Sequence, residues 1–291
     1  MLSMKTNLYI QGAAGISTNE PDYKEFIQDA GLRRRMSRVI RMSVASAMMA
    51  MREANQESFD AIVTGTGWGC LSDTEKFLVS IINNDERLLN PSSFIQSTSN
   101  TVGAQIALMT ADKCYNSTYV HGSSSFECAL TDAHLLLNEG KIVVLAGGFD
   151  ELTPTKKHLL GRMGMWRSHK EGEGAAFFVL TSERSDRTRG VISNVEICGI
   201  QETTDDIFTK AEKLNEKKAL FLTGDAEICS LLKTKGLKTE DYKVNTGEFP
   251  TASALGLLMA IERLSADKDL NKVILVSRYV RDVATIIEVS R

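Results

Sequence analysis

The sequence has no run of about 18 uninterrupted apolar residues and no apolar core near its start, so neither a membrane span nor a secretory leader is expected. Its five cysteines, Cys70, Cys114, Cys128, Cys198 and Cys229, are odd in number and scattered, with no CxxC pair and no zinc-like spacing to the four histidines. A disulfide framework and a patterned metal site are thereby excluded, and a reducing cytoplasm is the expected location. An excess of charge of either sign is also lacking. The 34 Lys and Arg against 37 Asp and Glu leave a net −3, too little to draw nucleic acid or an acidic membrane surface as a partner. Gly147 and Gly148 follow a strand-like run, yet no GK[ST] or GxGxxG comes after them, so no nucleotide site is expected. No Gly-x-Ser-x-Gly elbow of a conventional hydrolase is present.

What is present is an alternation of helical and strand-like segments. A strand at Asn7–Gln11 is followed by one helix over Leu32–Glu53, in which Met36, Val39, Ile40, Val44 and Ala47 share a side. Further strands are expected at 61–65, 117–120, 142–146 and 175–180. Helices are expected at 73–82, 102–111 and 126–139, with a proline-marked loop at 90–93. A second series starts near Gly190, with strands at 191–200, 219–222, 272–277 and 283–289 and helices at 207–216, 226–235 and 252–264. The alternation implies a largely parallel sheet. Both series end in an apolar strand, a connection and another apolar strand, which hints at two similar halves, 1–186 and 187–291, packed as one body without a low-complexity linker.

Five segments in order carry a family resemblance: the Arg-rich helix from Leu32, the pair AIVTGTGWGC and PSSFIQSTSNTVGAQIAL, the run GSSSFECALTDAHLLLNEGKIVVLAGGFDE, the strand EGEGAAFFVLTSE, and KVNTGEFPTASALGLLMAIERL. Together they resemble β-ketoacyl synthases of the thiolase-fold superfamily across nearly the whole chain. The resemblance implies an α/β fold, a thiolase-like αβαβα sandwich of two similar halves, with the second half shortened. It also implies that a cap over the second-half pocket is largely missing.

The same resemblance places the family's nucleophilic Cys at Ser123, its Lys at Lys243 and its second His at Glu248. Its other His should follow strand 219–222, where Thr223, Gly224 and Asp225 stand instead. Tyr279 to Asp282 replace the family's Gly-Phe-Gly-Gly turn. A serine hydroxyl stays protonated where a thiolate is needed, and a carboxylate is no neutral N–H donor to a developing enolate. The resemblance therefore implies a subunit of the chain-length-factor type, as in aryl polyene or flexirubin pathways. Such a subunit pairs with an active ketosynthase in a heterodimer, or with itself, and works beside an acyl carrier protein; no metal or organic cofactor is implied.

Other readings of the same residues stand beside this one. Ser123–Ser125 serve as helix caps, or Ser123 is an acylated nucleophile with His121 or Glu248 as base, in an acyltransferase or thioesterase-like enzyme. A stand-alone acyl-binding protein is a third class. Cys128, inside the helix, is expected to pack as a small apolar residue. Lys243 is expected to pair with a neighbour such as Glu248. Arg33, Arg34, Arg35, Arg38 and Arg41 form a solvated helix face or a docking surface for an acidic carrier protein. Phe94, Phe126 and Phe249 are candidates to line a tunnel. The strand Ser117–Val120 is expected to pair across a dimer interface, with Tyr119→Pro as the disrupting change.

Overall fold

The computed structural model describes residues 7–280 and 282–291; Arg281, within the segment expected to replace the family turn, lies outside them. The strands are β1 (Leu8–Ile16), β2 (Ala61–Gly65), β3 (Tyr115–Tyr119), β4 (Val143–Asp150), β5 (Gly174–Thr181), β6 (Gly190–Ile197), β7 (Ala219–Thr223), β8 (Thr239–Glu240), β9 (Lys272–Arg278) and β10 (Ala284–Ser290). They form a 10-stranded sheet in the order β3-β2-β4-β5-β1-β6-β10-β9-β7-β8. Counted inward from either edge, the first five and the last five strands follow the same order, β3-β2-β4-β5-β1 and β8-β7-β9-β10-β6. The two halves join where β1 meets β6, from Leu8 opposite Ile192 to Ile10 opposite Gly190.

The sheet is not largely parallel, as the alternation implied. It is parallel only toward its edges, where β2 lies beside β3 and β4, and β7 beside β8 and β9. Toward the middle, β4–β5, β5–β1, β1–β6, β6–β10 and β10–β9 run antiparallel. Strand direction is set by which strands become neighbours, and a pattern of strands and helices along the chain does not encode that.

Side chains in a strand alternate between faces, and here both faces are buried. In β9, Val273 and Leu275 enter the central core while Ile274 and Val276 enter the outer one; in β5, Ala176, Phe178 and Leu180 face the centre and Phe177 and Val179 the outside. The central core holds helices Ser125–Asn138 and Ala252–Ala266 between the two half-sheets. The outer cores lie under helices Arg38–Ala54 and Thr101–Thr110 on one side, and under Thr204–Lys213 and Ala226–Thr234 on the other. The result is the five-layer αβαβα sandwich.

Local departures from the expected elements have identifiable causes. The first long helix is broken into Ala30–Arg35 and Arg38–Ala54, because Met36 and Ser37 take extended backbone angles. The 90–93 loop is the start of helix Pro91–Ser97: Pro91 occupies the first helical turn, where a missing N–H is harmless, and Asn90 caps the Ser92 amide. Gly147 and Gly148 lie inside β4 rather than after it, pressed against Phe177 and against Phe126 and Ala254. Among the described residues no helix is long and apolar enough to cross a membrane.

Candidate functional site

The turn after β3 brings Ser123 to the end of the central helix. Gly122, at φ 59°, opens a short 3-10 turn over Gly122–Ser124 that runs into helix Ser125–Asn138. Ser125 Oγ accepts from the His121 amide at 2.8 Å and lies 3.0 Å from the Thr66 carbonyl, while Ser124 Oγ donates to the His121 carbonyl at 3.1 Å. The serines thus hold the turn itself; Ser124, at the N-cap position, makes no side-chain bond to the first-turn amides. Ser123 is buried, and its Oγ donates to Asp282 Oδ2 at 2.9 Å, with the Val283 carbonyl at 3.3 Å. Neither His121 nor Glu248 takes the Ser123 proton. His121 is exposed, and its ring lies 6.0 Å from that of Tyr119.

A second group forms where the segment before β5 meets the turn before helix Ala252–Ala266. Gly247, at φ 77°, passes so close to the chain that a Cβ there would stand 2.6 Å from the Glu171 carbonyl. Only glycine fits. This approach pairs Glu171 with Glu248, whose amide donates to the Lys170 carbonyl at 2.9 Å, and sets Glu248 beside His169. Lys243 Nζ donates to Glu248 Oε1 at 2.8 Å and to the Arg278 carbonyl at 2.7 Å. Gly224 leaves room for the lysine stem, since a Cβ there would meet Lys243 Cδ at 2.3 Å. His169 Nε2 bonds Asp241 Oδ2 at 2.8 Å, and its Nδ1 faces Glu248 Oε2 at 3.6 Å without a hydrogen bond. Arg278 bonds Asp225 Oδ2 at 2.6 Å, and Asp225 in turn caps the Glu227 and Ile228 amides. A cavity of about 430 Å³ opens here, lined among others by Met165, His169, Gly224, Ala226, Glu248 and Arg278.

The two groups are linked through Arg278 and Asp282, since the Arg278 carbonyl accepts from Lys243 and the Asp282 carboxylate from Ser123. Tyr279 stands edge-on to Trp68 at 6.2 Å. Burial first, then the nearby charges of Glu248, Asp150 and Asp282, push its phenol well above the usual range.

Asp150, at the end of β4, was not singled out from the sequence. It is fully buried and accepts five hydrogen bonds: Oδ1 from Thr66 Oγ1 and the Gly67 and Trp68 amides, Oδ2 from the Thr251 amide and hydroxyl. Burial pushes its pKa up, and these donors oppose that shift. The carboxyl ties the loop after β2 to the start of helix Ala252–Ala266. Its partners lie 82 to 101 residues away from it in sequence, which is why sequence patterning offered no signal.

The remaining expected residues are dispersed. Cys128 is half-buried in the central helix, and burial raises its thiol above the ordinary value, so it is no ready thiolate. Phe126 and Phe249 are fully buried in the central core, Phe126 against Phe178 at 5.7 Å, whereas Phe94 is 56% exposed on the surface beside Phe77. Arg38 pairs with Glu20 and Glu173, and Arg41 lies over the Tyr23 ring. Arg33, Arg34 and Arg35 form the last turn of the short helix before them.

The duplicated sandwich is the fold of thiolase-like ketosynthases, as solved structures show. A structure of a type II polyketide synthase acyl-carrier protein with its ketosynthase bound to the hexaketide (AntDE:AntF) superposes with TM-score 0.80 at 16% identity, covering 98% of this chain and 99% of that one. The ishigamide ketosynthase/chain length factor gives 0.76 at 14% identity, covering 98% and 99%. The ketosynthase ApeO in complex with its chain length factor ApeC, from Xenorhabdus doucetiae, gives 0.77 at 12% identity, covering 100% of both chains. Residues 15–160 match the model of the β-ketoacyl synthase N-terminal domain, and the chain belongs to that family. No curated protein matches it in sequence.

Proposed function

We propose that this chain is a ketosynthase-fold subunit without condensing activity of its own, which pairs with an active ketosynthase and shapes the chamber where an acyl chain grows on a carrier protein. The observation that carries the reading is the state of Ser123. It stands at the family's nucleophile position, its proton is directed to a carboxylate, and among the described residues no imidazole bonds to it. Asp282 accepts a hydrogen bond there but is a weak base for an alcohol. Lys243 and Glu248 hold the positions of the family's Lys and second His, and they neutralise each other.

An uncovered apolar face supports pairing. Leu78, Val79 and Ile82 on helix Leu71–Asn83, Phe94 and Ile95 on helix Pro91–Ser97, and Leu108 are exposed, next to Tyr115 and Val120 around the edge strand β3. Exposed apolar area beside an unpaired strand edge is a liability that a partner removes. Solved neighbours described as ketosynthase/chain length factor assemblies suggest an active ketosynthase as that partner. Residues 1–186 and 187–291 are then the two halves of one duplicated subunit, and an aryl polyene or flexirubin type of product is the finer assignment.

Co-expression with a ketosynthase encoded nearby, followed by native mass measurement, tests this. A one-to-one complex is expected. A chain that stays monomeric at high concentration and captures no ketosynthase overturns the reading.

A further inference from the structure

The cavity at His169 and Glu248 contains more acid–base machinery than a silent subunit needs. The imidazole of His169 is 92% buried as a side chain by the 8% it exposes, is fixed by Asp241, and leaves Nδ1 without a hydrogen bond. That unpartnered nitrogen faces Glu248 Oε2, the oxygen not held by Lys243. A buried polar atom without a partner is costly, so its retention calls for an explanation. Lys243, buried and bonded to Oε1, holds that oxygen and leaves Oε2 free of it. The same cavity is lined by Ala226, the first residue of helix Ala226–Thr234, where an amide has no partner within its own helix. Asp225 caps the next two amides and not this one. A carboxylate base and a backbone donor thus share one cavity of about 430 Å³, with Met163 and Met165 providing apolar surface.

We infer that this cavity is a hydrolytic site for acyl thioesters, in which Glu248 is the base, His169 and Lys243 position it, and no acyl-serine forms. The thioester as substrate class rests on the ketosynthase-like reading above; the site and its residues do not. Glu248 Oε2 takes a proton from water as the water oxygen adds to the thioester carbonyl carbon, and the Ala226 amide donates to the carbonyl oxygen as charge develops there. When the carbon–oxygen bond re-forms its double bond, the carbon–sulfur bond breaks. The leaving thiolate receives the proton that Glu248 holds, so one thioester and one water give one carboxylic acid and one thiol.

The test uses the full chain alone with butyryl- and octanoyl-coenzyme A, following free coenzyme A and free acid by chromatography and the protein by intact mass. Release above a heat-denatured control is expected, with no acyl adduct on the protein. Glu248→Gln should lower kcat about a hundredfold, the scale of a lost general base. Glu248→Asp keeps the charge beside Lys243, so it guards against misfolding as the cause, and should lose most of the rate through its shorter reach. His169→Asn should lower kcat more than it changes KM, a split that a purely structural residue would not give. Thermal melts accompany each variant. No release above the control, or equal rates in well-folded Glu248 variants, overturns the inference. Capture of a ketosynthase by the wild type and by Glu248→Gln is measured in parallel. Hydrolysis absent with capture intact removes this inference alone, and hydrolysis present with capture absent removes the partner reading alone.

Discussion

Lys243 Nζ stands 2.8 Å from Glu248 Oε1, and the two side chains expose only 1% and 10% of their surface. Five residues apart in sequence, they are held together by the tight turn at Gly247 rather than by a helix face. A buried pair gains little over well-packed apolar residues, but removing one partner strands the other charge, at about 3–5 kcal/mol. Lys243→Met is therefore expected to destabilise the fold by that amount, and Lys243→Met with Glu248→Leu to recover most of it. Urea unfolding of both variants measures the difference.

A thiol at position 123 should not confer condensation. Ser123→Cys is expected to yield no ketoacyl product from acyl and malonyl carrier-protein substrates, because on the proposed reading the Lys243–Glu248 pair stands where imidazoles are needed. Product detection in a contaminant-free preparation is the check. Ser123→Ala removes a hydroxyl bonded to Asp282 and should cost about 1 kcal/mol.

The edge strand offers a sharper probe than the Tyr119 substitution expected from sequence. The Tyr119 carbonyl already accepts from the Thr66 amide, so Tyr119 points its backbone groups at β2, inside the sheet. Along a strand the backbone groups alternate in direction, which leaves Thr118 pointing outward. Thr118→Pro removes an outward donor, a place where edge strands tolerate proline. The monomer is expected to fold, and co-purification with a ketosynthase is expected to fail.

Glu151 gives a pH signature. It is buried, and burial together with the nearby charges of Asp73 and Glu173 raises its pKa to about 7, against a bond from the Ser72 amide that lowers it. The native state therefore holds this proton more tightly than the unfolded chain. Stability from this group is fullest below the unfolded value near 4.5 and declines as pH rises toward about 7. Glu151→Gln keeps an acceptor for Ser72 and removes the charge. It should be more stable than wild type at pH 8 by up to about 3 kcal/mol, with the difference vanishing near pH 4. Denaturant titrations at the two pH values decide it.

Much of the layered fold was legible, because β5, β7, β9 and β10 are apolar on both faces and their runs stand out. The break at Met36 was not, since its side chain is buried and fits the helical pattern while its backbone leaves it. Helix Pro154–Arg162 also escaped notice: it has no buried residue, so no apolar stripe marks it. At the candidate site, Ser123, Lys243 and Glu248 were singled out through their motifs. Their neighbours Asp282 and His169 were not, because contacts such as Ser123 to Asp282 span 159 residues and depend on the two halves having closed.

The seam strand has a kinetic consequence. β1 leaves the ribosome well before both of its partners, since it pairs with β5 at Gly174–Thr181 and with β6 at Gly190–Ile197. At typical rates of synthesis its partners appear roughly 10–30 s later. During that interval β2, β3 and β4 can assemble with helix Ser125–Asn138, all drawn from the first 150 residues. The N-terminal strand must wait beside them, unpaired on both edges and carrying Leu8 and Ile10 meant for the central core. Translation order and assembly order therefore diverge in this chain, and the waiting strand is where a holding chaperone would be expected to act.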